Sequence, residues 1–353
     1  MEPNEINPFE KTCIPYAGKR NIRKIIVGKN KSKKLNILTF ATHERYEESL
    51  CKTGHNFYSL NAGKQWDTTY AEIPENYHVI DKLPNYVDFD LVLSHTSCNR
   101  IQLAHDLLSE NPGTSNAITI PVLRHCHVLP DVRSDVGQQV YMFQQMPNVI
   151  NSFISNYNRD QWGSNESNSY VIPHGINTDF WKPVEVDWRV SHDYALSVVN
   201  EFPTRDWCCG YNLWRNISEK VPCLVVGKCT THPSFSQPAA NTEELRNHYN
   251  SAKLYLNTSL HSPVPTAMME AMACGLPVVS TENCMIPEIV EHGVNGFMSN
   301  DPLELAECCR KLLMDQHMAH EMGLAARETI VSKFGMDAFV SNWNKLLYKT
   351  IGE

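Results

Sequence analysis

The 353-residue chain lacks any apolar stretch approaching the roughly 18 to 20 residues that cross a bilayer, which excludes a membrane-spanning helix. It also lacks an internal repeat and any low-complexity tract, which excludes a repeat array. Residues 1–5 show no secretory signal pattern, so we expect a cytosolic protein. Hydrophobic residues make up 42% and charged residues 20%, as in globular proteins, and the length predicts two domains.

The 12 cysteines lack the spacing of a disulfide framework, so we expect reduced and mostly buried thiols. Cys208-Cys209 and Cys308-Cys309 are adjacent pairs, which suit neither an ordinary disulfide nor a C-x-x-C zinc site. The run 125–127 reads His-Cys-His, but alternate residues of a strand point to opposite faces and leave at most two ligands on one side. We therefore predict no metal site there.

The formal net charge of −8 argues against a nucleic-acid-binding surface over the whole molecule. Residues 19–34 are an exception, because they contain eight basic residues and no acidic one. A solvated arm is the favoured interpretation of such a run. The alternative is a patch that meets phosphates or anionic lipid.

Apolar runs alternate with amphipathic segments from residue 35 onward, a pattern typical of βαβ units around a parallel sheet. The strands predicted in the first half cover 35–40, 90–95, 118–123 and 148–155. In the second half we predict strands at 194–199, 223–226, 254–257 and 278–280, and helices at about 208–218, 242–251, 266–274, 302–313, 316–333 and 336–350. The fold class is therefore α/β, and an open sheet of this kind binds its ligand at the carboxyl ends of the strands.

Residues 259–297 form the most informative segment. We interpret it as an irregular loop, a helix that begins at Pro265 and stops at Gly275, a short buried strand at 277–280 and a second helix near Pro287. A loop that leads into a helix presents unpaired backbone N–H groups and the positive end of the helix dipole. The segment can therefore hold a diphosphate without a basic side chain.

The same segment resembles the donor-sugar signature of the retaining glycosyltransferases of family four, the set called glycosyl transferases group 1. The residues in register with that signature are Glu270, Ala271, Met272, Ala273, Gly275, Pro277, Val278, Val279, Pro287, Glu288, Ile289, Val290, Asn295 and Gly296. Residues 172–183 resemble the stretch that joins the two domains of that family. The resemblance implies the GT-B fold, in which two Rossmann-like domains face a central cleft.

On this basis we expect an acceptor-side domain over 1–180, which includes the basic segment. A nucleotide-sugar domain is expected over 181–335, followed by a helix at 336–353 that returns to the first domain. The glycine-rich loop that many members carry after the first strand is absent here, because 39–43 contains no glycine. The acceptor side is therefore the less predictable half.

The resemblance implies donor-binding roles at the start of the predicted helix 266–274. The backbone of Thr266 and Ala267, after Pro265, is expected to contact the diphosphate, and Glu270 the ribose. The first glutamate of the family's pair is replaced by Ser262. That glutamate commonly touches the transferred sugar. This chain therefore departs from the family's pattern at Ser262, the position of the sugar contact.

Basic side chains complement the helix dipole in this chemistry, because the leaving diphosphate gains negative charge. The family usually supplies an arginine and a lysine about five residues apart after the first strand of the second domain. Asn200 stands at the arginine position, and Arg205 lies near the lysine position. We predict Arg205 as the diphosphate clamp, since a guanidinium suits phosphate well, and Lys228 as a weaker candidate.

His127, in a segment that resembles the family's His-x-x-x-Pro run, is expected to hydrogen-bond the sugar or to shape the site. His43 and Glu44 follow the first strand and are candidates for the acceptor side, because such loops often carry function. Asp88 and Asp90 resemble an Asp-x-Asp metal site, but they introduce a strand of the first domain, where GT-B enzymes hold no metal. We therefore predict no metal and no cofactor.

Together these features predict a metal-independent, retaining glycosyltransferase that uses a nucleoside-diphosphate sugar, with UDP as the first choice. The acceptor, a glycan, a small molecule or a nucleic acid, is open. One alternative is a catalytically inactive protein that binds nucleotide sugars, which Ser262 motivates. A minority variant of the enzyme glycosylates a nucleic acid, which the basic segment 19–34 motivates.

Overall fold

The computed structural model describes residues 33–61, 66–68, 70–95, 101, 103–104, 120–146, 149–164, 167, 169–184 and 193–353. Most of the basic segment 19–34 lies outside these ranges. The chain divides into two compact units. Unit 1 ends at Ile172 and includes Val340–Glu353, and unit 2 is Pro173–Phe339. The divisions expected from the sequence were 180/181 and 335/336.

Unit 1 contains a parallel sheet of seven strands in the order β3-β2-β1-β4-β5-β6-β7. The strands are β1 Asn36–Thr39, β2 Asn56–Leu60, β3 Tyr77–Ile80, β4 Leu91–His95, β5 Val122–Cys126, β6 Val149–Phe153 and β7 Ser169–Val171. The helices described in this unit are α1 Glu44–Cys51, α2 Val136–Gln144 and α3 Asn156–Gln161. Every residue of β4 and β5 is buried, as expected for central strands of a parallel sheet.

The strand predicted at 118–123 was placed too early in the sequence, because β5 runs from Val122 to Cys126. The predicted strand ended before Arg124, yet Arg124 lies in β5 and its side chain is buried. Its Nε donates to Asn151 Oδ1 at 2.8 Å, its Nη2 donates to the Phe143 carbonyl at 3.0 Å, and its guanidinium lies 3.4 Å from the centre of the Phe143 ring. These partners offset the cost of burying the charge. His127 consequently lies directly after the strand.

Unit 2 contains a parallel sheet of five strands in the order β12-β11-β10-β8-β9. They are β8 Ala195–Val198, β9 Cys223–Val226, β10 Leu254–Asn257, β11 Val278–Ser280 and β12 Gly296–Met298. The helices are α4 Asp206–Cys209, α5 Tyr211–Ser218, α6 Thr242–Ser251, α7 Thr266–Ala273, α8 Ile286–Ile289, α9 Pro302–Met314 and α10 Gln316–Phe334. A further helix, α11 Met336–Ile351, begins in unit 2, and from Val340 onward it belongs to unit 1.

The single helix predicted over 208–218 is two helices in the structure, α4 and α5, which are separated at Gly210. Gly210 has φ +72°, a conformation that favours glycine, and a Cβ there would overlap the carbonyl oxygen of Thr258. Close approach of the two backbones therefore requires glycine at this position. Thr258 is the first residue after β10, so the contact also positions the loop that leads to α7.

Replacement of Gly210 by alanine is expected to lower the free energy of unfolding by about 1–3 kcal/mol. The alanine would have to adopt a positive φ, and its Cβ would also clash with the backbone of Thr258. Urea denaturation measures the loss. Gly293→Ala is the matched control, since Gly293 has φ +83° but open space around its Cβ position. Equal losses in the two variants would contradict the close approach of Gly210 to Thr258.

No helix within the described ranges is long and apolar enough to span a membrane. Six of the ten cysteines in those ranges are buried. Cys208 and Cys209 bring their sulfur atoms within 3.6 Å of each other in α4.

Candidate functional site

The strand order of unit 2 changes direction between β8 and β10. From β8 the chain moves to β9 on one side of the sheet and then crosses to β10 on the other side. Loops that leave neighbouring strands at such a point diverge and open a crevice at the carboxyl ends of the strands. The two loops concerned are 199–205 and 258–265, which contain or adjoin the candidate residues predicted for the donor.

The loop 258–265 is fixed by hydrogen bonds to neighbouring segments. Thr258 Oγ1 donates to the Cys209 carbonyl at 2.9 Å. The Cys208 carbonyl accepts from the N–H groups of Leu260 at 2.8 Å and His261 at 3.1 Å. On the other side, Thr281 Oγ1 donates to the Ser259 carbonyl at 2.6 Å. Because α4 begins directly after Arg205, these bonds tie the loop to the segment that carries the predicted clamp.

Helix α7 begins at Thr266, which is an exposed residue, and continues with the partly exposed Ala267. The Pro265 carbonyl accepts from the N–H groups of Met268 at 3.0 Å and Met269 at 3.3 Å, and Thr266 N–H donates to Val264 at 3.1 Å. Among the described residues, the Ala267 N–H has no hydrogen-bond acceptor. The first turn of α7 therefore offers one amide donor at the positive end of a helix whose later residues are buried.

Glu270 lies one turn into α7 and is 6% exposed. Its Oε2 accepts a hydrogen bond from the hydroxyl of Tyr249 at 3.1 Å, and Tyr249 is fully buried on α6. A carboxylate this buried requires such a partner. Tyr249 therefore fixes one oxygen of this carboxylate.

The loops after β8 and β9 are tied together around Asn200 and Glu201. Asn200 Oδ1 accepts from the N–H of Lys228 at 2.9 Å, and Glu201 N–H donates to the Lys228 carbonyl at 2.7 Å. Both carboxylate oxygens of Glu201 accept from the N–H of Thr230 at 3.0 Å. Arg205 and Lys228 are exposed, and Arg205 Nη1 lies 3.4 Å from the Asn200 carbonyl oxygen. Asn200, at the position where the family has arginine, thus links the backbones that carry the two cations.

The hydrogen bonds from Thr230, with a smaller contribution from the charge of Lys228, lower the pKa of the Glu201 carboxyl. A depressed pKa stabilises the folded state above the ordinary glutamate value of about 4.3, and this stability is lost as the pH falls through the lowered pKa. Wild type is therefore expected to be more stable than Glu201→Gln at pH 7, with a difference that shrinks toward pH 3. Urea denaturation at both pH values tests this, and a constant difference would contradict it.

Comparison with known proteins covers the loop 258–265 and helix α7, whereas the loop 199–205 lies outside the matched residues. Residues 218–315 match the family profile of the glycosyl transferases group 1. N-acetyl-alpha-D-glucosaminyl L-malate synthase of Bacillus anthracis is 33% identical over 86 residues, which cover 24% of this chain and 23% of that relative. The chain thus matches about a quarter of that relative's length.

Solved structures match most of the chain at low identity. A glycosyltransferase from Rickettsia africae ESF-5 superposes with a TM-score of 0.69 at 15% identity, covering 91% of this chain and 100% of that one. Anabaena Alr3699/HepE in complex with UDP-glucose gives a TM-score of 0.67 at 15% identity, covering 89% and 100%. The GT-B fold class predicted from the group 1 signature is confirmed.

Unit 1, which the group 1 profile does not cover, has its own change of strand direction between β1 and β4. Three histidines meet at the carboxyl ends of its central strands: His95 ends β4, His125 lies in β5, and His127 follows β5. His95 Nδ1 and His127 Nε2 are 2.8 Å apart. We call His95, His125 and His127, with Tyr46 and Glu47 of α1, the imidazole cluster.

Tyr46 and Ser152 hold the central imidazole of the cluster. The Tyr46 hydroxyl lies 2.9 Å from His125 Nε2, and Ser152 Oγ lies 2.7 Å from His125 Nδ1. The Tyr46 ring stacks on His125 and meets His127 edge-on, with ring centres 4.4 Å apart. Burial, followed by the charge of Glu47, raises the pKa of Tyr46, so its hydroxyl stays protonated at neutral pH.

Sequence reasoning selected only His127 from this cluster. His95 ends a strand that was predicted, so the rule that ligands bind at carboxyl ends was a signal that could have found it. Tyr46 and Glu47 lie on the helix after β1 and offered no such signal. Of the two acceptor-side candidates, His43 is exposed with its ring centre 5.8 Å from that of Tyr70, and Glu44 is buried.

Asp88 and Asp90 lie at the opposite, amino-terminal edge of the same sheet. Asp90 pairs with Lys33 at 2.6 Å and accepts from the Asn36 N–H at 2.8 Å, while the Asp88 carbonyl accepts from the Asn36 side chain at 3.1 Å. These contacts join the start of β1 to the segment before β4. Within the described ranges, no group of three His, Cys, Asp or Glu side chains has a geometry that could hold a metal ion.

Proposed function

We propose that this protein transfers a sugar from a nucleoside-diphosphate sugar, with UDP as the nucleotide, to an acceptor, with retention of configuration at the transferred carbon. One observation carries the proposal. The group 1 segment places the Ala267 amide at the exposed start of α7, next to the point where the sheet of unit 2 changes direction. Anabaena HepE, a protein of similar fold, binds UDP-glucose, which supports the choice of donor.

In this proposal the leaving diphosphate is bound by unit 2. As the bond between the sugar and the diphosphate breaks, negative charge grows on the phosphate oxygen of that bond. The Ala267 N–H and the dipole of α7 stabilise that charge, and the Arg205 guanidinium adds a charge-assisted contact. Lys228 is a second cation on the neighbouring loop. Glu270, held by Tyr249, accepts hydrogen bonds from the ribose hydroxyls.

The residues proposed for the sugar and the acceptor lie in unit 1. His127 is partly exposed and stands at the rim of the imidazole cluster, so its ring can hydrogen-bond the transferred sugar. It shapes the site in this role and forms no covalent bond to the sugar. His43 and Glu44 are proposed to contact the acceptor, because they follow β1.

Isothermal titration with UDP-, GDP- and ADP-glucose tests donor binding, and release of nucleoside diphosphate with a panel of acceptors tests transfer. The proposal predicts binding of a UDP sugar and steady release of UDP. A folded sample that binds none of the three would contradict it. Digestion of the product with an α- or a β-specific glycosidase, followed by chromatography, tests retention of configuration.

A second candidate function is a binding protein without transferase activity. The observation that favours it is Ser262, a partly exposed loop residue at the position of the family's first glutamate. In that case donor binding is tight while release of UDP stays at the rate of the protein-free control. The nucleic-acid acceptor stays a prediction from residues 19–34, and steep salt dependence of acceptor binding is its signature.

A further inference from the structure

Three side chains of unit 1 form a continuous chain from a buried carboxylate to the partly exposed His127. Glu47 is 1% exposed, and its Oε1 lies 3.4 Å from His95 Nε2. His95 is 5% exposed, and its Nδ1 lies 2.8 Å from His127 Nε2. We propose that Glu47 is a positioning residue that acts through His95 to raise the proton affinity of His127. This inference rests on the function proposed for His127.

The proton positions follow from the donors and acceptors along the chain. Thr42 N–H donates to Glu47 Oε1 at 3.2 Å, a contact that favours the ionised carboxylate. When Glu47 is ionised its oxygens only accept, so His95 Nε2, which also lies 3.5 Å from Thr39 Oγ1, carries a proton toward it. His95 Nδ1 and His127 Nε2 then share one proton, which either nitrogen can hold.

Two protonation states of His127 result. In the neutral state His127 Nε2–H donates to His95 Nδ1, and His127 Nδ1 is an acceptor. When a proton arrives at His127 Nδ1, the Nε2 proton moves to His95 Nδ1, and the positive charge rests on His95 beside Glu47. His127 then presents an N–H at Nδ1 without carrying the charge itself, which suits a donor to a sugar hydroxyl or to the leaving oxygen.

Tyr46, Cys51 and Tyr77 are ionisable side chains that interact electrostatically with Glu47. Burial first, and the charge of Glu47 second, raise the pKa values of Tyr46, Cys51 and Tyr77, so all three stay neutral at physiological pH. On α1, Glu44 and Glu48 add negative charge and act in the same direction as Glu47. On β5, His125 has its ring nitrogens beside Tyr46 and Ser152, and its ring centre lies 4.4 Å from that of His127.

Nitrogen-detected NMR titration of the histidine rings in the ligand-free protein tests the inference without any assay of activity. In wild type, His95 and His127 are expected to titrate as a coupled pair, with His95 Nε2 protonated throughout. Glu47→Gln keeps the shape and removes the charge, so the proton affinity of the pair is expected to fall at least tenfold. Glu47→Asp, which moves the carboxylate away from His95, is expected to give an intermediate fall.

Glu48→Gln, on the same helix and partly exposed, is the matched control and is expected to leave the pair's titration within about twofold of wild type, since exposed charges are screened. Unchanged titration in Glu47→Gln with a native-like amide spectrum would overturn the inference. If Glu47→Gln does not fold, wild-type titration of the pair in Glu47→Asp overturns it.

The rate profile separates this inference from the proposed function. With a working transferase, Glu47→Gln is expected to shift the limb of the kcat profile that reports the pair to lower pH, with KM for the donor unchanged. The NMR shift without any transfer would refute the proposed function and leave the proton chain intact. Normal transfer together with unchanged titration of His95 and His127 in Glu47→Gln would refute the proton chain and leave the proposed function intact.

Discussion

His127→Ala is expected to lower kcat about 10²- to 10³-fold, the usual effect of removing one positioned hydrogen-bond donor from a transition state. The imidazole is held in place by His95 at 2.8 Å and by the edge of the Tyr46 ring, so its loss removes a prepared contact rather than a mobile one. The KM for the donor is expected to change little, because the diphosphate is bound by unit 2. Release of UDP from the UDP sugar, followed over a range of donor concentrations, gives both constants.

His78→Ala is the matched control for this variant. His78 is a partly buried histidine on β3, and its ring packs near Tyr58, at the far edge of the sheet from β5. It is expected to keep near-wild-type kcat. Equal loss in both variants would mean that the effect comes from damage to unit 1 and not from His127.

Arg205→Ala is expected to weaken binding of UDP by about 1.5–3 kcal/mol, about 10- to 150-fold in Kd, because it removes a charge-assisted contact to the diphosphate. The segment that carries Arg205 is linked to the loop 258–265, since the Cys208 carbonyl of the adjoining α4 accepts from the N–H groups of Leu260 and His261. Isothermal titration with UDP and with uridine measures the effect. Affinity for uridine, which has no phosphate, is expected to be unchanged.

Arg215→Ala provides the control for charge alone, because Arg215 is exposed on α5 of the same unit. It is expected to change the affinity for UDP by less than about twofold, as distant surface charges are screened by salt. Unchanged affinity in Arg205→Ala would remove Arg205 from the site and would leave Lys228 as the candidate cation.

Local patterns predicted unit 2 well. Strands β9, β10 and β11 lie at the predicted positions, because each is a short apolar run bounded by polar or turn residues. The signature around α7 is also local, so Thr266, Ala267 and Glu270 could be placed on one helix from spacing alone. The break at Gly210 was missed, because it depends on the approach of Thr258, which is distant in sequence.

Unit 1 shows what a single sequence does not contain. Strands β2, β3 and β7 were missed, since their short runs mix polar with apolar residues. Strand β12 of unit 2 was also missed, since it is only three residues long. The imidazole cluster draws on α1, β4 and β5, and its contacts arise from strand order. Neither composition nor spacing along the chain specifies which strands are neighbours.

A crystal structure of the complex with UDP would show whether the start of α7 binds the diphosphate. We expect a β-phosphate oxygen about 2.7–3.2 Å from the Ala267 nitrogen, with the Arg205 guanidinium on the same phosphate group. A nucleotide bound at another edge of the sheet, or an Ala267 amide bonded to protein in the complex, would contradict it.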